Sequence, residues 1–233
     1  MKKWLIALLL FLFPNPAVFS QSGTEMELLQ KLDSIQNTDC ISKHFAGLYF
    51  TTTKEAIEFF RDNPAQTKNF IERLEISFAG FFFRSVDSFT QKKVIPMEWG
   101  SYFNNSSLSP LQYKLLGINA HINGDIWQAL TKEFTLAEIQ GAKESYFDFQ
   151  KGLKKQYKEF YNESLKSSSK VRLLHNATAG LDKLYGKLML GHWRKRQMKL
   201  AILFYTDKEK FSIELEKLRR KMKRIDQMIL RNL

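Results

Sequence analysis

Apolar residues recur three and four positions apart along most of the chain, and almost no segment alternates apolar and polar residues as a strand would. Residues that favour helix starts stand where these patterns begin. Thr24 and Glu27 form a capping box, and Pro64 occupies a first helical position. We therefore predict an all-α, single-domain, multi-helix bundle. The first predicted helix opens at 24, and the others cover 42–60, 64–89, 111–131, 135–164, 171–205 and 208–233.

Several local features refine this prediction. The run Thr51-Thr52-Thr53 indicates a junction between two helices within 42–60, with Thr53 capping the second. The FAGFFF stretch at 78–83 is aromatic on nearly all sides, which predicts a central position for its helix. Residues 91–110 form the longest irregular stretch, anchored by Trp99, and a loop of this length often borders a site. We expect further helix caps at Ser109-Pro110, Thr135 with Glu138, and Thr206-Asp207.

The segment 111–131, LQYKLLGINAHINGDIWQALT, combines helical apolar spacing with polar residues at its centre. His121 and Asp125 are four residues apart and so share one face of the helix, as do Asn119 and Asn123. At roughly 100° per residue, the two pairs point about 160° away from each other. A third stripe, Gly117, His121 and Gly124, would allow another backbone to approach closely. Because buried polar groups need partners, the segment is either a functional site or a polar network that locks the bundle.

The first twenty residues have the composition of a secretory signal peptide. A basic start with Lys2 and Lys3 precedes an apolar run that is too short to span a bilayer permanently, and prolines follow it. We predict cleavage after Ser20, a helical domain over 21–233 without a transmembrane helix, and export to the periplasm or beyond. An uncleaved membrane anchor is the alternative interpretation. The single cysteine, Cys40, leaves no internal disulfide, so the hydrophobic core must stabilise the exported chain.

The positive charge is concentrated in the second half of the chain. The formal net charge is +12; residues 1–132 carry 13 basic and 12 acidic side chains, whereas residues 133–233 carry 23 and 12. Such a field attracts an anionic surface, for an exported protein a phospholipid or a lipopolysaccharide, although basic side chains also simply solubilise helices. We do not expect a nucleic-acid partner, because no nucleic-acid-binding motif is present. The basic clusters are Lys151/Lys154/Lys155/Lys158, Arg194-Lys195-Arg196, and Arg219-Arg220-Lys221 with Lys223 and Arg224.

Candidate chemistry is confined to one pair of residues. The sequence contains no HExxH, no Gly-x-Ser-x-Gly and no glycine-rich phosphate loop. His121 and Asp125 could give a nitrogen and an oxygen ligand to one zinc ion. Equally, they could be a hydrogen-bonded pair buried for structural reasons. A zinc site would need at least one more ligand. Spacing alone does not rank the candidates, which are His175, His192, Asp87, Glu144 and Asp148.

Three pieces of the chain resemble an uncharacterised bacterial all-helical family, a domain of unknown function. They are FAGLYFTTT, IPMEW and LQYKLLGINAHINGDIWQAL, all within about residues 45–130, and HWRKRQMKLA adds a loose C-terminal likeness. The family pattern L-L-G-x-N-A-H-I-N-x-D-L matches closely, except that Ile126 replaces Leu. The resemblance implies an all-helical fold and no known activity. It also makes four residues the signature positions, namely Asn119, His121, Asn123 and Asp125.

About a dozen residues also resemble the zinc-dependent phospholipase C and single-strand nuclease group, with its H-x-x-G-D-x-x-Q-P-x-H motif. His121, Gly124, Asp125 and Gln128 match, and in that group the matching His and Asp bind zinc. However, Ala129 and Thr131 replace the motif's Pro and last His. The predicted mature chain starts at Gln21 rather than at the Trp whose terminal amine binds metal in that group, and no second H-x-x-x-D follows. The resemblance therefore implies at most one metal, which would activate a water molecule.

Two functional hypotheses follow from the sequence. The leading one is an exported binding or scaffold domain with a polar HxxxD cluster in its core and a basic face for an anionic partner. The alternative is a zinc-dependent hydrolase of phosphoester or lipid substrates that uses His121 and Asp125. In that case Asn119 and Asn123 would orient the substrate or the metal ligands, or would tie neighbouring helices together. The hydrolase requires a bound metal and a cleft that opens onto His121, whereas the scaffold requires neither.

Overall fold

The computed structural model describes residues 25–177 and 181–232, with the backbone alone at 149–156, 174, 177 and 181–189. All regular structure in these ranges is helical, which confirms the all-α prediction. No helix in the described ranges is both long and apolar enough to cross a membrane. The predicted signal peptide, 1–20, lies outside them. In chain order the helices are α1 (Glu25–Gln36), α2 (Lys43–Phe60), α3 (Ala65–Thr90), α4 (Gly100–Phe103), α5 (Pro110–Asn119), α6 (Ile126–Glu133), α7 (Leu136–Gly141), α8 (Lys143–Ser167), α9 (Ser169–Ala177), α10 (Leu181–Thr206) and α11 (Lys208–Asn232).

The helix α2 is continuous, so the predicted junction at Thr51-Thr52-Thr53 is wrong. The hydroxyls of Thr51 and Thr52 donate to the carbonyls of Gly47 and Leu48, one turn earlier in the same helix. This back-bonding satisfies the hydroxyls without interrupting the helix. The side chain of Thr53 is buried against the bundle and does not cap a helix.

The aromatic helix α3 lies at the centre of the bundle, as its composition predicts. Phe78, Phe82 and Phe83 are buried, and they belong to one hydrophobic core that also contains residues of α1, α2, α4 to α8, α10 and α11. A helix with apolar residues on most sides is stable only when other helices surround it. A smaller cluster of Leu200, Leu218 and Met222 fastens α11 to α10.

The stretch 91–110 is more ordered than predicted. It contains a 3-10 turn, Met97–Trp99, that leads directly into α4. Trp99 is fully buried among the aromatic rings of the core, which confirms its role as an anchor and explains why the segment is held against the bundle. The aromatic residues Tyr102 and Phe103 of α4 are buried beside it.

The second half of the chain contains more helix breaks than its apolar pattern indicates. The capping box of Thr135 with Glu138 is confirmed, but it opens only the short α7, and a break at Ala142 precedes α8. The predicted helix 171–205 corresponds to α9 and α10, and residues 178–180 between them are not described. Asp207 caps α11 as predicted, because its carboxylate accepts from the Lys210 N–H at 3.0 Å.

Candidate functional site

The predicted polar cluster lies in the middle of a continuous helical rod that extends from Pro110 to Glu133. The rod consists of α5, a π-helical segment Ala120–Asp125, and α6. Ser109 caps its start, as predicted, and forms a reciprocal capping box with Gln112. The continuous helix is thus confirmed, whereas the wide π-helical turn was not predicted. Such turns are rare and occur frequently at functional sites.

Two side chains converge on one oxygen of Asp125. His121 Nδ1 lies 2.9 Å from Asp125 Oδ2, and the indole N–H of Trp99 donates to the same oxygen at 3.0 Å. Because an indole N–H can only donate, Asp125 Oδ2 accepts from Trp99. The other ring nitrogen of His121 is Nε2. That atom is buried and has no hydrogen-bond partner among the described residues.

Aromatic rings enclose the imidazole of His121. The Phe78 ring stacks on it with 3.4 Å between centroids, and the Tyr49 ring meets it edge-on at 4.5 Å. Phe45 and Trp99 close the remaining sides at 5.4 and 6.0 Å. Burial in these surroundings lowers the pKa of His121 well below its usual value, so the imidazole is neutral at pH 7. Burial likewise raises the pKa of Asp125, and the Trp99 hydrogen bond opposes this shift.

Asn119 and Asn123 point to the opposite side of the rod, as the helical geometry predicts. The Asn119 amide donates to the Met222 carbonyl at 3.1 Å and to the Asp226 carboxylate at 2.7 Å, and Asn123 donates to the Asn119 side-chain oxygen at 2.9 Å. Further along the rod, Gln112 donates to the Ile229 carbonyl of α11 at 3.4 Å. The asparagine pair therefore ties α11 to the centre of the bundle.

The glycine stripe has a different role from the predicted one. Side chains, rather than another backbone, press against both glycines. A Cβ atom on Gly117 would lie 2.4 Å from the Phe45 ring, and one on Gly124 would lie 2.6 Å from the Glu98 side chain. The two glycines thus let Phe45 reach the His121 ring and let Glu98 pack on the π-helical segment. The charge of Glu98 contributes to the raised pKa of Asp125.

The described residues do not complete the zinc site suggested by the sequence. The atoms of His121 and Asp125 that face each other already share a hydrogen bond, and Asp125 Oδ2 also accepts from Trp99. In the described part of the chain, no group of three or more His, Cys, Asp or Glu side chains lies close enough together to hold a metal ion. Accordingly, none of the five proposed additional ligands joins this pair. Zinc binding stays a prediction without a third ligand.

The core also contains two charged residues whose burial was not predicted from the sequence, Glu75 and Arg194. Glu75 of α3 is buried, and desolvation raises its pKa to about 7 although the Arg194 charge opposes the shift. Arg194 of α10 stacks over the Tyr146 ring at 4.1 Å and donates to the Tyr146 carbonyl at 2.9 Å. The Glu75 charge also acts on Tyr49, whose ring touches His121. The signal available in the sequence was one acidic residue on the apolar face of α3, next to Leu74 and Phe78.

Arg194 therefore does not belong to the predicted surface cluster Arg194-Lys195-Arg196. Its side chain faces the core, because on a helix it lies on the same side as the buried residues Met198 and Ala201. Lys195 remains exposed and Arg196 is half-buried. In the earlier cluster, the side chains of Lys151, Lys154 and Lys155 lie outside the described residues, and Lys158 is exposed.

Several other basic residues of α10 and α11 share one surface. Burial lowers the pKa of Lys221, and the charge of Arg196 lowers it further. Burial also lowers the pKa of His192, as do the charges of Arg196, Lys221 and Lys195. Lys217, Arg220 and Arg224 flank Lys221 within one helical turn and are exposed. The acidic residue Glu214 pairs with Lys217 at 3.1 Å and with Lys199 at 3.7 Å. We call this surface the cationic face: His192, Lys195, Arg196, Lys217, Arg220, Lys221 and Arg224.

Comparison with known proteins adds a family and no activity. A family model described as a family of unknown function, DUF5995, matches residues 25–232. No curated protein and no solved structure matches the chain. The family match confirms the prediction of a family of unknown function and extends it beyond residues 45–130, but it does not test the four signature positions or the likeness to zinc enzymes. Because the match covers nearly the whole sequence, the chain belongs to the family of unknown function DUF5995.

Proposed function

We propose that this protein is an exported binding protein that attaches to an anionic surface through its cationic face. The observation that carries the proposal is the grouping of basic side chains around Lys221 and His192, where the charge of Arg196 adds to burial in disfavouring the charged form of both. Like charges held together at a surface cost stability, and an anionic partner removes this cost. The same arrangement would steer the partner toward the face.

The polar cluster supports this function as an internal scaffold. Hydrogen bonds from Asn119 and Gln112 fasten the buried side of α11, and they reach it at Met222, Asp226 and Ile229. Since directional bonds fix the rotation of a helix better than apolar contacts do, they keep the basic residues of α11 turned outward. His121 and Asp125 stabilise the same rod from the other side, through Trp99 and the aromatic rings of α2 and α3.

The hydrolase alternative has less support. It requires a cleft that opens onto His121, but His121 is buried beneath aromatic rings. It also requires a metal ligand set, which the described residues do not complete. A buried His–Asp pair that organises a helix bundle accounts for the geometry without a substrate.

Export is part of the proposal and rests on the signal-like segment 1–20. It is tested by expressing the full chain in a bacterial host, fractionating the cells and sequencing the N-terminus of the recovered protein. We expect the protein outside the cytoplasm with Gln21 as its first residue. Recovery in the cytoplasm with Lys2 or Met1 still present would contradict export.

Attachment to an anionic surface is tested by salt elution from immobilised heparin, a soluble polyanion. We expect the charge reversals Arg196→Glu and Lys221→Glu, made together, to release the protein at much lower salt, because contacts with an anion fall steeply as salt rises. The matched control is Lys54→Glu with Lys93→Glu, which changes the net charge equally at exposed positions on α2 and after α3. Equal shifts for both pairs would show that net charge, not the cationic face, governs binding, and would overturn the proposal.

A further inference from the structure

Exposed apolar side chains interrupt the basic residues of α11. Ile213 is 48 % exposed and Met228 is 58 % exposed, although α11 has buried apolar positions available on its other side. At 100° per residue, both point the same way as Lys217 and Arg224. The solvent side of α11 is therefore a stripe in which basic residues lie between and beside two apolar ones. In chain order its residues are Ile213, Lys217, Arg220, Arg224, Met228 and Arg231.

The spacing of the apolar residues restricts what they can contact. Ile213 and Met228 are fifteen residues apart, which is about 22 Å along a helix. They are therefore too distant to form one apolar patch for a small protein anchor or a ligand. A flat, extended apolar phase is required to take up both at once. A lipid bilayer offers such a phase beneath an anionic surface.

We propose that the cationic face docks on an anionic phospholipid bilayer, with α11 lying in the plane of the headgroups. Ile213 and Met228 enter the acyl boundary, while Lys217, Arg220 and Arg224 contact the phosphates. This inference rests on the proposed attachment to an anionic surface and names the partner. Binding of a helix at a membrane interface combines burial of apolar side chains with electrostatic attraction to anionic lipids, and this side of α11 offers both. The polar bonds from Asn119 and Gln112 hold α11 in the bundle, so binding uses its outer side without unfolding it.

The test separates the apolar contribution from the charge. The protein, recovered after any cellular processing, is sedimented with vesicles of phosphatidylcholine alone and with an equal mixture of phosphatidylglycerol and phosphatidylcholine. The variant Ile213→Ser with Met228→Ser keeps every charge. We expect it to bind the mixed vesicles roughly 30-fold more weakly, because each half-exposed side chain loses its burial in lipid. Its elution from heparin should not change.

The matched control is Met26→Ser with Met97→Ser, which removes two methionines that are 63 % and 60 % exposed on α1 and in the 3-10 turn. This control should bind mixed vesicles like the wild type. Unfolding by urea confirms that all variants are folded to the same extent. Neither the wild type nor the control should bind vesicles of phosphatidylcholine alone.

Each outcome decides one of the two proposals. If the Ile213/Met228 variant binds mixed vesicles as well as the wild type does, the bilayer inference is overturned, whereas attachment to an anionic partner, such as a lipopolysaccharide or another polyanion, survives. If the wild type binds neither heparin nor mixed vesicles, the proposed function itself fails. If the wild type binds mixed vesicles and both apolar variants weaken binding equally, the apolar contribution is not specific to α11, and the inference is again overturned.

Discussion

The substitution Gly117→Ala tests whether Phe45 presses against the rod beneath His121. In most helices this change stabilises by about 1 kcal/mol, because glycine is a poor helix former. At Gly117 the new methyl carbon would lie 2.4 Å and 2.5 Å from two atoms of the Phe45 ring and 2.9 Å from its Cβ. Distances this short require something to move.

The Phe45 ring has little room to yield. It is buried between Phe82 at 5.1 Å and Trp99 at 5.5 Å, and it faces the His121 imidazole at 5.4 Å. Overpacking of a rigid core costs about 1–3 kcal/mol, and this contact belongs at the upper end. After the gain in helix propensity is subtracted, we expect Gly117→Ala to lower the free energy of unfolding by about 2 kcal/mol.

The matched control is Gly80→Ala in α3, where no atom lies within 4 Å of the added carbon. We expect the control to stabilise the protein by about 1 kcal/mol, so that the two variants differ by about 3 kcal/mol in urea unfolding. In a Phe45→Ala background, Gly117→Ala should become neutral or stabilising, since the opposing ring is gone. If Gly117→Ala stabilises the protein as Gly80→Ala does, Phe45 does not occupy this position, and the enclosure of His121 is incorrect.

Three further outcomes are expected. Asn119→Ala should destabilise the protein by about 2–4 kcal/mol in urea unfolding, because it removes the buried hydrogen bonds from the rod to the Asp226 carboxylate and the Met222 carbonyl. A loss below about 0.5 kcal/mol would contradict the anchoring of α11. Heparin binding should strengthen from about pH 7 to about pH 5 as His192 gains a proton near Arg196, and His192→Gln should remove this trend if the cationic face is the binding surface. Elemental analysis should find no stoichiometric transition metal, whereas zinc that disappears in His121→Ala would favour the hydrolase.

Local signals in the sequence predicted the helices well wherever a helix begins with its own cap. Ser109 caps its helix as predicted and Thr135 forms the predicted capping box, because the side-chain oxygen and the backbone N–H that it accepts from lie only three residues apart. Local signals were misleading at the threonines of α2. Their hydroxyls have two ways to be satisfied, as a cap or by bonding one turn back, and the surrounding packing decides between them.

The candidate site was predicted in part. Spacing alone placed His121 beside Asp125 and Asn119 beside Asn123, since these are contacts within one helix. The partners Trp99, Met222 and Asp226 come from 26 to 107 residues away, and no helical period relates them to the rod. Arg194 was placed on the surface with its basic neighbours because its burial depends on Tyr146 of α8, a contact that sequence periodicity does not reveal.

Glu75 offers a test of the buried charges around the aromatic core. Burial raises its pKa from 4.5 to about 7, so the folded protein holds this proton more tightly than the unfolded chain does. Stability from this group is complete below the unfolded pKa and is lost as the pH rises through the folded one. The shift corresponds to about 3 kcal/mol of stability lost between pH 4.5 and pH 7.

The variant Glu75→Gln removes this proton equilibrium while keeping the size of the side chain. The free energy of unfolding by urea is measured for both proteins at several pH values from 4.5 to 7. Over this range the wild type should lose about 3 kcal/mol more stability than the variant. Glu58→Gln, at an exposed position of α2, is the control and should follow the wild type. If Glu75→Gln declines as steeply as the wild type, Glu75 is ionised at neutral pH in the folded protein. Arg194 would then compensate its burial fully, and the two residues would form an ion pair inside the bundle rather than a neutral acid beside a cation.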